Sequence, residues 1–286
     1  MTHPHQRESS QKPAPDFSVM SLNLRFGLAD DGDNRWEIRK KRLFSFFEHY
    51  RPDFIAFQEA NAFQIEFLCN ILQGHRYIGK RSPAPPFWQN NVLFYPDSWV
   101  CRWSDHFFLS DTPNVPSRFP ESKWPRQCTL GAFTREDRCL VCVSTHLDFD
   151  ARVQIRSVHI IQRRLKGRCA DVPVILMGDF NATPDAPCHA ALTAPEDSDS
   201  KDALVFKNAF SPPYPPTFHG FSGKTDVGHI DWILYRGNIV PLGTRVITET
   251  FDGGYPSDHF PLLAEFCWNG AGRTNLRRQA GPGPLS

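Results

Sequence analysis

The chain reads as an α/β protein in which stacked β-sheets are flanked by helices. Three observations predict this. Eight strand-like runs are spread between residues 17 and 268, and several are continuously apolar, the mark of strands buried on both faces. Three segments with helical spacing of apolar residues alternate with them. Pro, at 25 of 286 residues, is about twice its usual share and sets many fixed loops between short elements, which excludes a helical bundle. Consecutive strands interrupted by single helices suggest packed sheets with helices outside. The pattern does not encode strand order.

In chain order, residues 1–16 are polar and Pro-rich and are expected to be a disordered head. FSVMSLNL (17–24) is the first strand. A helix around 35–50 follows, with Leu43, Phe46, Phe47 and Tyr50 at i, i+3, i+4, i+7 spacing. DFIAFQE (53–59) is a strand, and 62–73 a helix carrying Phe63, Phe67, Leu68, Ile71 and Leu72. Further strands are NVLFYP (91–96), LGAFTRE (130–136) and CLVCVSTHL (139–147). The third helix, 151–168, has Val158, Ile161 and Leu165 on its apolar side and Arg152, Arg156, Arg163, Arg164 and Arg168 elsewhere. A solvated helix face explains those arginines better than a nucleic-acid contact. PVILMGDF (173–180), HIDWILYR (229–236) and PLLAEFCW (261–268) complete the strands. Residues 269–286 form a Gly/Pro/Arg-rich flexible tail, leaving one domain over 17–268 with no internal repeat.

Composition narrows the function. A hydrophobic fraction of 40%, with 24 Phe and 7 Trp, provides material for a packed core and excludes a disordered chain. The 32 Lys+Arg nearly balance 31 Asp+Glu, so wholesale wrapping of nucleic acid is disfavoured while a local basic cleft is not. No run approaches the roughly 18 apolar residues of a membrane span, and the start shows no signal-peptide core. The expectation is a cytoplasmic monomer without membrane insertion. The Cys-x-x-Cys pair, Cys139 and Cys142, lies in a strand-like run, where an offset of three puts side chains on opposite faces. Buried reduced thiols follow.

The chemistry appears where polar residues close the apolar runs. Asn23 ends the first strand, Gln58 and Glu59 the second, His146 and Asp148 a later one, and Asp179 and Asn181 another in VILMGDFN. Asp231 is embedded in HIDWIL, and Asp258-His259 precedes the last strand. An Asp after a strand is usually a turn former, and a lone His is more often a satisfied core residue. This many such positions in one chain point to a site.

These blocks, GDFN followed by SDH above all, resemble the endonuclease/exonuclease/phosphatase superfamily. That group includes deoxyribonuclease I, apurinic/apyrimidinic endonucleases, deadenylases, neutral sphingomyelinases and inositol polyphosphate 5-phosphatases. The phrases NLRFG, DGDNRWEIRK and YPSDHFP look closest to an uncharacterised bacterial branch. The resemblance implies a four-layer αββα sandwich, two stacked mixed sheets flanked by helices, with the site at one edge. It implies that Glu59 is the principal metal ligand with Asn23 beside it, and that Asp258 is a second-site or outer-sphere ligand. Mg²⁺ is the implied cofactor and Mn²⁺ an alternative. Asp179 would activate the attacking water with Asn181 orienting it, His146 and His259 would donate to phosphate oxygens, and Asp231 would hold His259. Some members carry an acidic metal ligand two residues after the first Asn, where this chain has Arg25. A cation there disfavours a second metal and suits a substrate phosphate, or simply pairs with a nearby carboxylate.

Other features are weaker. Asn181-Ala182-Thr183 spells a glycosylation sequon only because it overlaps GDFN, and Gly223-Lys224-Thr225 lacks the earlier glycine of a phosphate-binding loop. The loop 217–229, with His219 and Lys224, is read as lining a substrate pocket, the alternative being a packed connector. Arg126 is either a phosphate clamp or a surface charge at a strand edge. The function expected is a divalent-metal phosphoesterase, either a phosphodiesterase or nuclease, using direct attack of water. The alternatives are a phosphomonoesterase for a small sugar, inositol or nucleotide phosphate, and a non-catalytic binding module on the same fold. The partner is a phosphoester, with nucleic acid among the options.

Overall fold

Strand β1 (Phe17–Asn23) runs parallel to β2 (Phe54–Ala60) and antiparallel to β12 (Leu262–Trp268) in the computed structural model, which describes residues 14–166, 168–169, 172–194, 204–225 and 227–270. With β3 (His75–Ile78), β4 (Asn90–Pro96) and β11 (Ile239–Val246), these make a six-stranded sheet of order β11-β12-β1-β2-β4-β3. The second sheet contains β5 (Val100–Phe108), β6 (Gln127–Arg135), β7 (Arg138–His146), β8 (Val174–Asp179), β9 (Lys207–Asn208) and β10 (Asp231–Arg236). Its order is β5-β6-β7-β8-β10-β9, with β7 and β8 parallel. The expected head and tail lie outside the described residues except for 14–16 and 269–270; Asp16 already joins the first sheet, its N–H donating to Phe266 O at 2.9 Å.

Period-two alternation divides the buried side chains into three layers. Phe17, Val19, Phe54, Ala56, Leu93, Leu140, Cys142, Ile175, Met177 and Ile233 pack between the sheets. Met20, Leu22, Ile55 and Phe57 face the other way, onto α1 (Trp36–His49) and α2 (Ala62–Ile71) through Leu43, Phe46, Phe47, Ile65 and Leu68. On the second sheet, Cys139, Val141, Val143, Val174 and Leu176 meet α3 (Ala151–Leu165) and α4 (Pro187–Thr193) through Val158, Ile161, Leu165, Cys188 and Leu192. The result is the expected four-layer sandwich. Cys139 and Cys142 indeed belong to different layers, and both are free thiols.

Local chemistry sets the helix starts. Asn61 and Gln64 close a capping box at α2, and Asp150 accepts from the N–H groups of Arg152 and Val153 at α3, each cap contributing about 1 kcal/mol. The α3 arginines pair with acids: Arg156 with Asp111 and Glu121, and Arg164 and Arg168 with Asp105. They form a paired surface, as expected. The helix itself ends at Leu165 rather than at 168.

Candidate active site

Pairing direction places the polar strand ends together. The parallel pairs β1/β2 and β7/β8 finish at one edge, where the antiparallel β10 and β12 begin. Register puts His146 opposite Asp179 and Asp179 opposite Asp231, three functional side chains on neighbouring strands. Glu59 sits in the irregularity where β2 slips against β4, with φ of 59°, so a bulge re-aims its carboxylate. Arg25 (φ 59°) and Asn181 (φ 48°) are also left-handed, a conformation that costs energy and clusters at functional sites. Gly178 explains the first letter of GDFN: a Cβ there would lie 1.9 Å from Thr145 O on β7. Only glycine lets β8 approach β7 closely enough for this register.

Asp179 is the hub. It is 1% exposed; its Oδ1 accepts from Asn181 N at 2.9 Å and its Oδ2 from Asn23 Nδ2 at 3.0 Å. His146 Nε2 stands 3.4 Å and His259 Nε2 3.8 Å from the same Oδ2. Asn181 Nδ2 lies 3.0 Å from His146 Nε2 and donates to Leu147 O. On its far side, His259 Nδ1 meets Asp231 Oδ2 at 2.9 Å. Glu59 accepts from Phe26 N at 2.7 Å and from Asn23 Nδ2 at 3.3 Å. Beside it, Asp258 lies 3.7 Å from Arg25 Nε.

Burial and charge push these groups apart in pKa. Burial, reinforced by Asp231, raises the Asp179 carboxyl to about 7. Burial also opposes charging His259, but the carboxylates of Asp231 and Asp179 outweigh it and lift the imidazolium to about 10. His146 goes the opposite way: burial, with Arg126 and His259 nearby, holds it neutral. At pH 7 the site therefore carries one charged and one neutral imidazole, a separation that assigns them different work.

The edge opens into a cavity of about 850 Å³ lined by Arg25, Glu59, Arg126, His146, Asp179, Asn181, Asp258 and His259. Arg25 is held by both oxygens of Asp31, at 2.8 and 3.0 Å, which is the pairing alternative, while still lining the cavity. Arg126 is not a surface charge. It is 7% exposed, 3.7 Å from Asp148, and its Nε has no hydrogen-bond partner. His219 does not line the cavity: its ring stacks on Phe260 at 4.0 Å, and burial lowers its pKa to about 4. Packing between aromatic rings, not the polarity of the loop, decides its place. Phe218 and Val227 are the residues by which loop 217–229 reaches the cavity.

Two metal-binding arrangements can be weighed. Asp179, Asp231 and His259 offer donor atoms within 4.8 Å of one another. The carboxylates hold His259 as an imidazolium, which has no lone pair for an ion. Glu59 and Asp258 instead present hard oxygens to the cavity. Asn23 turns Nδ2 toward Glu59 and Asp179, since its Oδ1 accepts from Arg25 N at 2.8 Å, so it acts here as a donor that fixes carboxylates. Four carboxylates crowd this edge, the Asp179 carboxyl is raised, and Asp231 Oδ1 is buried without a partner. That excess of anionic oxygen fits a hard divalent cation.

Residues that sequence reasoning missed include Arg39, fully buried behind the site, which donates to Leu24 O at 2.6 Å, Arg25 O at 2.7 Å and Pro256 O at 3.3 Å. Phe87, Trp88, Trp124 and Phe149 were missed as cavity-lining residues. Trp124 immediately precedes the Pro-Arg-Gln run singled out for Arg126, the one available signal.

The family model for the endonuclease/exonuclease/phosphatase family matches residues 20–259, a span containing every residue of this cluster. The chain belongs to that family. Members of the endonuclease/exonuclease/phosphatase family are phosphoester hydrolases. The chain is 27% identical over 180 residues to uncharacterized protein L388 of Acanthamoeba polyphaga mimivirus, covering 58% of this chain and 67% of that one. In fold it is similar to Bacteroides thetaiotaomicron mannosyl-6-phosphatase Bt3783, with TM-score 0.78, 24% identity and coverage of 88% and 100% of the two chains. It is also similar to D. rerio TDP2 complexed with single strand DNA product, with TM-score 0.67, 18% identity and coverage of 88% and 98%. Among the described residues, no helix is long and apolar enough to cross a membrane.

Proposed function

We propose that the protein is a divalent-cation-dependent phosphoesterase that hydrolyses its substrate by direct attack of water. The observation that carries this reading is the convergence of Asp179, Asn181, His146 and His259 on the cavity that Glu59 and Asp258 also line. Among the described residues lining it there is no Ser, Thr, Cys, Tyr or Lys, so water is the available nucleophile.

Asp179 takes the proton of the attacking water; a carboxyl raised to about 7 is matched to a base working near neutrality. Asn181 holds that base through its backbone N–H and steadies His146 with its side chain. His259, charged and backed by Asp231, donates from Nε2 to a phosphoryl oxygen as negative charge develops there. His146, being neutral, brings one N–H and one lone pair to the same edge. Arg126 supplies a buried cation for a non-bridging oxygen. Glu59 and Asp258 would hold Mg²⁺ or Mn²⁺, which supplies polarisation of the phosphoryl oxygen and neutralisation of charge. The oxygen–phosphorus bond to water forms as the ester bond breaks, with no covalent enzyme intermediate.

The test is a hydrolysis screen with Mg²⁺ or Mn²⁺ on bis-p-nitrophenyl phosphate, p-nitrophenyl phosphate, short single-stranded DNA, an abasic duplex, short RNA and inositol phosphates. Asp179→Asn serves as the blank and is expected to lose turnover while still binding substrate. Diester or strand cleavage absent from the variant supports a phosphodiesterase, and monoester cleavage alone a phosphatase. Wild-type turnover in the variant would remove Asp179 from the mechanism, and silence on all substrates would favour the binding-module reading.

A further inference from the structure

We infer that the substrate's non-phosphate part carries a flat aromatic group, held by an aromatic collar at the cavity mouth, and is not a polyhydroxylated sugar. The inference rests on the phosphoesterase reading and names the class of substrate for that site. Four Phe, Trp or Tyr side chains are exposed among the described residues: Phe44, Phe87, Trp124 and Phe149. Three of the four line this one cavity, at 63%, 56% and 73% exposure. They come from three separate loops, before β4, before β6 and after β7. Exposing that much aromatic surface is unfavourable unless a ligand covers it, and rings gathered at the mouth of a polar site mark where that ligand lies.

Cations back the rings. Arg126 lies 5.5 Å from the Phe149 centroid, Lys123 5.0 Å from that of Trp124, and Arg81 4.3 Å from that of the adjoining Trp88. Each contact steadies a ring while leaving it available for stacking. Arg126 thereby links the buried phosphate-facing cation to the collar. Neutral hydrogen-bonding groups are scarce by comparison. Apart from Asn181, the neutral polar side chains lining the cavity are Gln89 and Gln127, and Gln127 Nε2 is already given to Gln89 O at 2.7 Å. A polyol has several hydroxyls to satisfy and finds few partners; a nucleobase or aryl ring finds π-faces.

Non-hydrolysable phosphonates test this on the full chain with Mg²⁺ present, by calorimetry and by quenching of tryptophan fluorescence. The probes are methylphosphonate, phenylphosphonate, a phosphonate isostere of mannose 6-phosphate, a methylenephosphonate mononucleotide and a phosphorothioate tetranucleotide. The aromatic probes are expected to bind at least about 5-fold more tightly than methylphosphonate or the sugar isostere. Phe149→Ala, at an exposed position whose loss the fold should survive, is expected to weaken them roughly 5- to 100-fold. The same variant should leave methylphosphonate binding alone, and Phe44→Ala, away from the cavity, should change nothing. The mononucleotide and tetranucleotide arms separate a small aromatic ester from a stacked single strand. If methylphosphonate binds but aromatic probes gain nothing, or the sugar isostere binds best, the collar inference falls and the phosphoesterase reading stands. If no phosphonate binds the wild type, both fall.

Discussion

Neutralising Asp231 tests the electrostatic core of the site. Asp231→Asn keeps an oxygen that can accept from His259 Nδ1, now at 2.9 Å, but removes the charge behind it. A pKa of about 10, against about 6.5 for an ordinary histidine, corresponds to roughly 5 kcal/mol favouring the imidazolium. Asp231 at 2.9 Å and Asp179 at 3.8 Å share that preference, and the nearer carboxylate contributes half or more. Its loss should therefore bring the His259 pKa down to roughly 8, about 2–3 kcal/mol. Because the folded pKa is raised, the pair's contribution to stability is complete below about pH 6.5 and fades as pH rises through the folded value. In the variant that fading starts near neutrality. Histidine ring NMR titration reads the pKa directly and needs no substrate. On an active substrate, kcat should fall about 10²- to 10⁴-fold and the alkaline limb of the rate profile should move toward neutrality. An unchanged titration curve would show that Asp231 does not hold the charge on His259, and the donor role would lose its support.

Three further substitutions separate other parts of the argument. Glu59→Gln should raise the Mg²⁺ concentration needed for half-activation by tenfold or more with the thermal midpoint little changed, and wild-type metal dependence would place the ion elsewhere. Gly178→Ala drives a methyl to within 1.9 Å of Thr145 O, so thermal unfolding should show a loss of about 3 kcal/mol or more; a wild-type melting curve would mean that β7 and β8 have room to part. Arg39→Met leaves the carbonyls of Leu24, Arg25 and Pro256 without their buried donor and should cost about 3–5 kcal/mol in denaturant unfolding. Arg39→Lys should recover only part, since an ammonium cannot span all three carbonyls as the guanidinium fork does.

What the sequence displays and what it hides follow from position in the sheets. All eight strands expected from apolar runs are present, and all lie in sheet interiors, at β1, β2, β4, β6, β7, β8, β10 and β12. The four that sequence reading missed are β3, β5, β9 and β11, which are the four edges of the two sheets. An interior strand buries both faces and both hydrogen-bonding sides, so it writes a continuous apolar run. An edge strand need not: β5 alternates exposed and half-buried residues, and β11 carries Pro241 and Gly243 around a register shift. Charge, Pro and irregularity at edges discourage pairing with other chains, and they also erase the strand signal. The site was legible for the complementary reason, because a carboxylate or imidazole closing a buried run stands out. Cavity walls on loops carry no period, so Phe87, Trp124 and Phe149 had no pattern to betray them.

Arg39 shows a third kind of hidden information. NLRFG, DGDNRWEIRK and YPSDHFP stood out in the sequence as separate phrases, two of them holding site residues and the middle one holding none. In the fold the middle phrase supports the other two. Asp31 clamps the Arg25 guanidinium, and Asn34 accepts from Arg42 at 2.7 Å on α1. Arg39 reaches from α1 to carbonyls on both flanks of the site, at Leu24 and Arg25 after β1 and at Pro256 just before Asp258. Burial lowers the Arg39 pKa to about 10, a cost that the structure bears with no direct contact between Arg39 and the cavity. A buried cation bound only to backbone carbonyls does little that an apolar side chain could not do for stability alone. It does fix two chain segments against each other. Asn23, Arg25 and Glu59 on one side and Asp258 and His259 on the other then approach with a set spacing, which is what a phosphoryl group held between them requires.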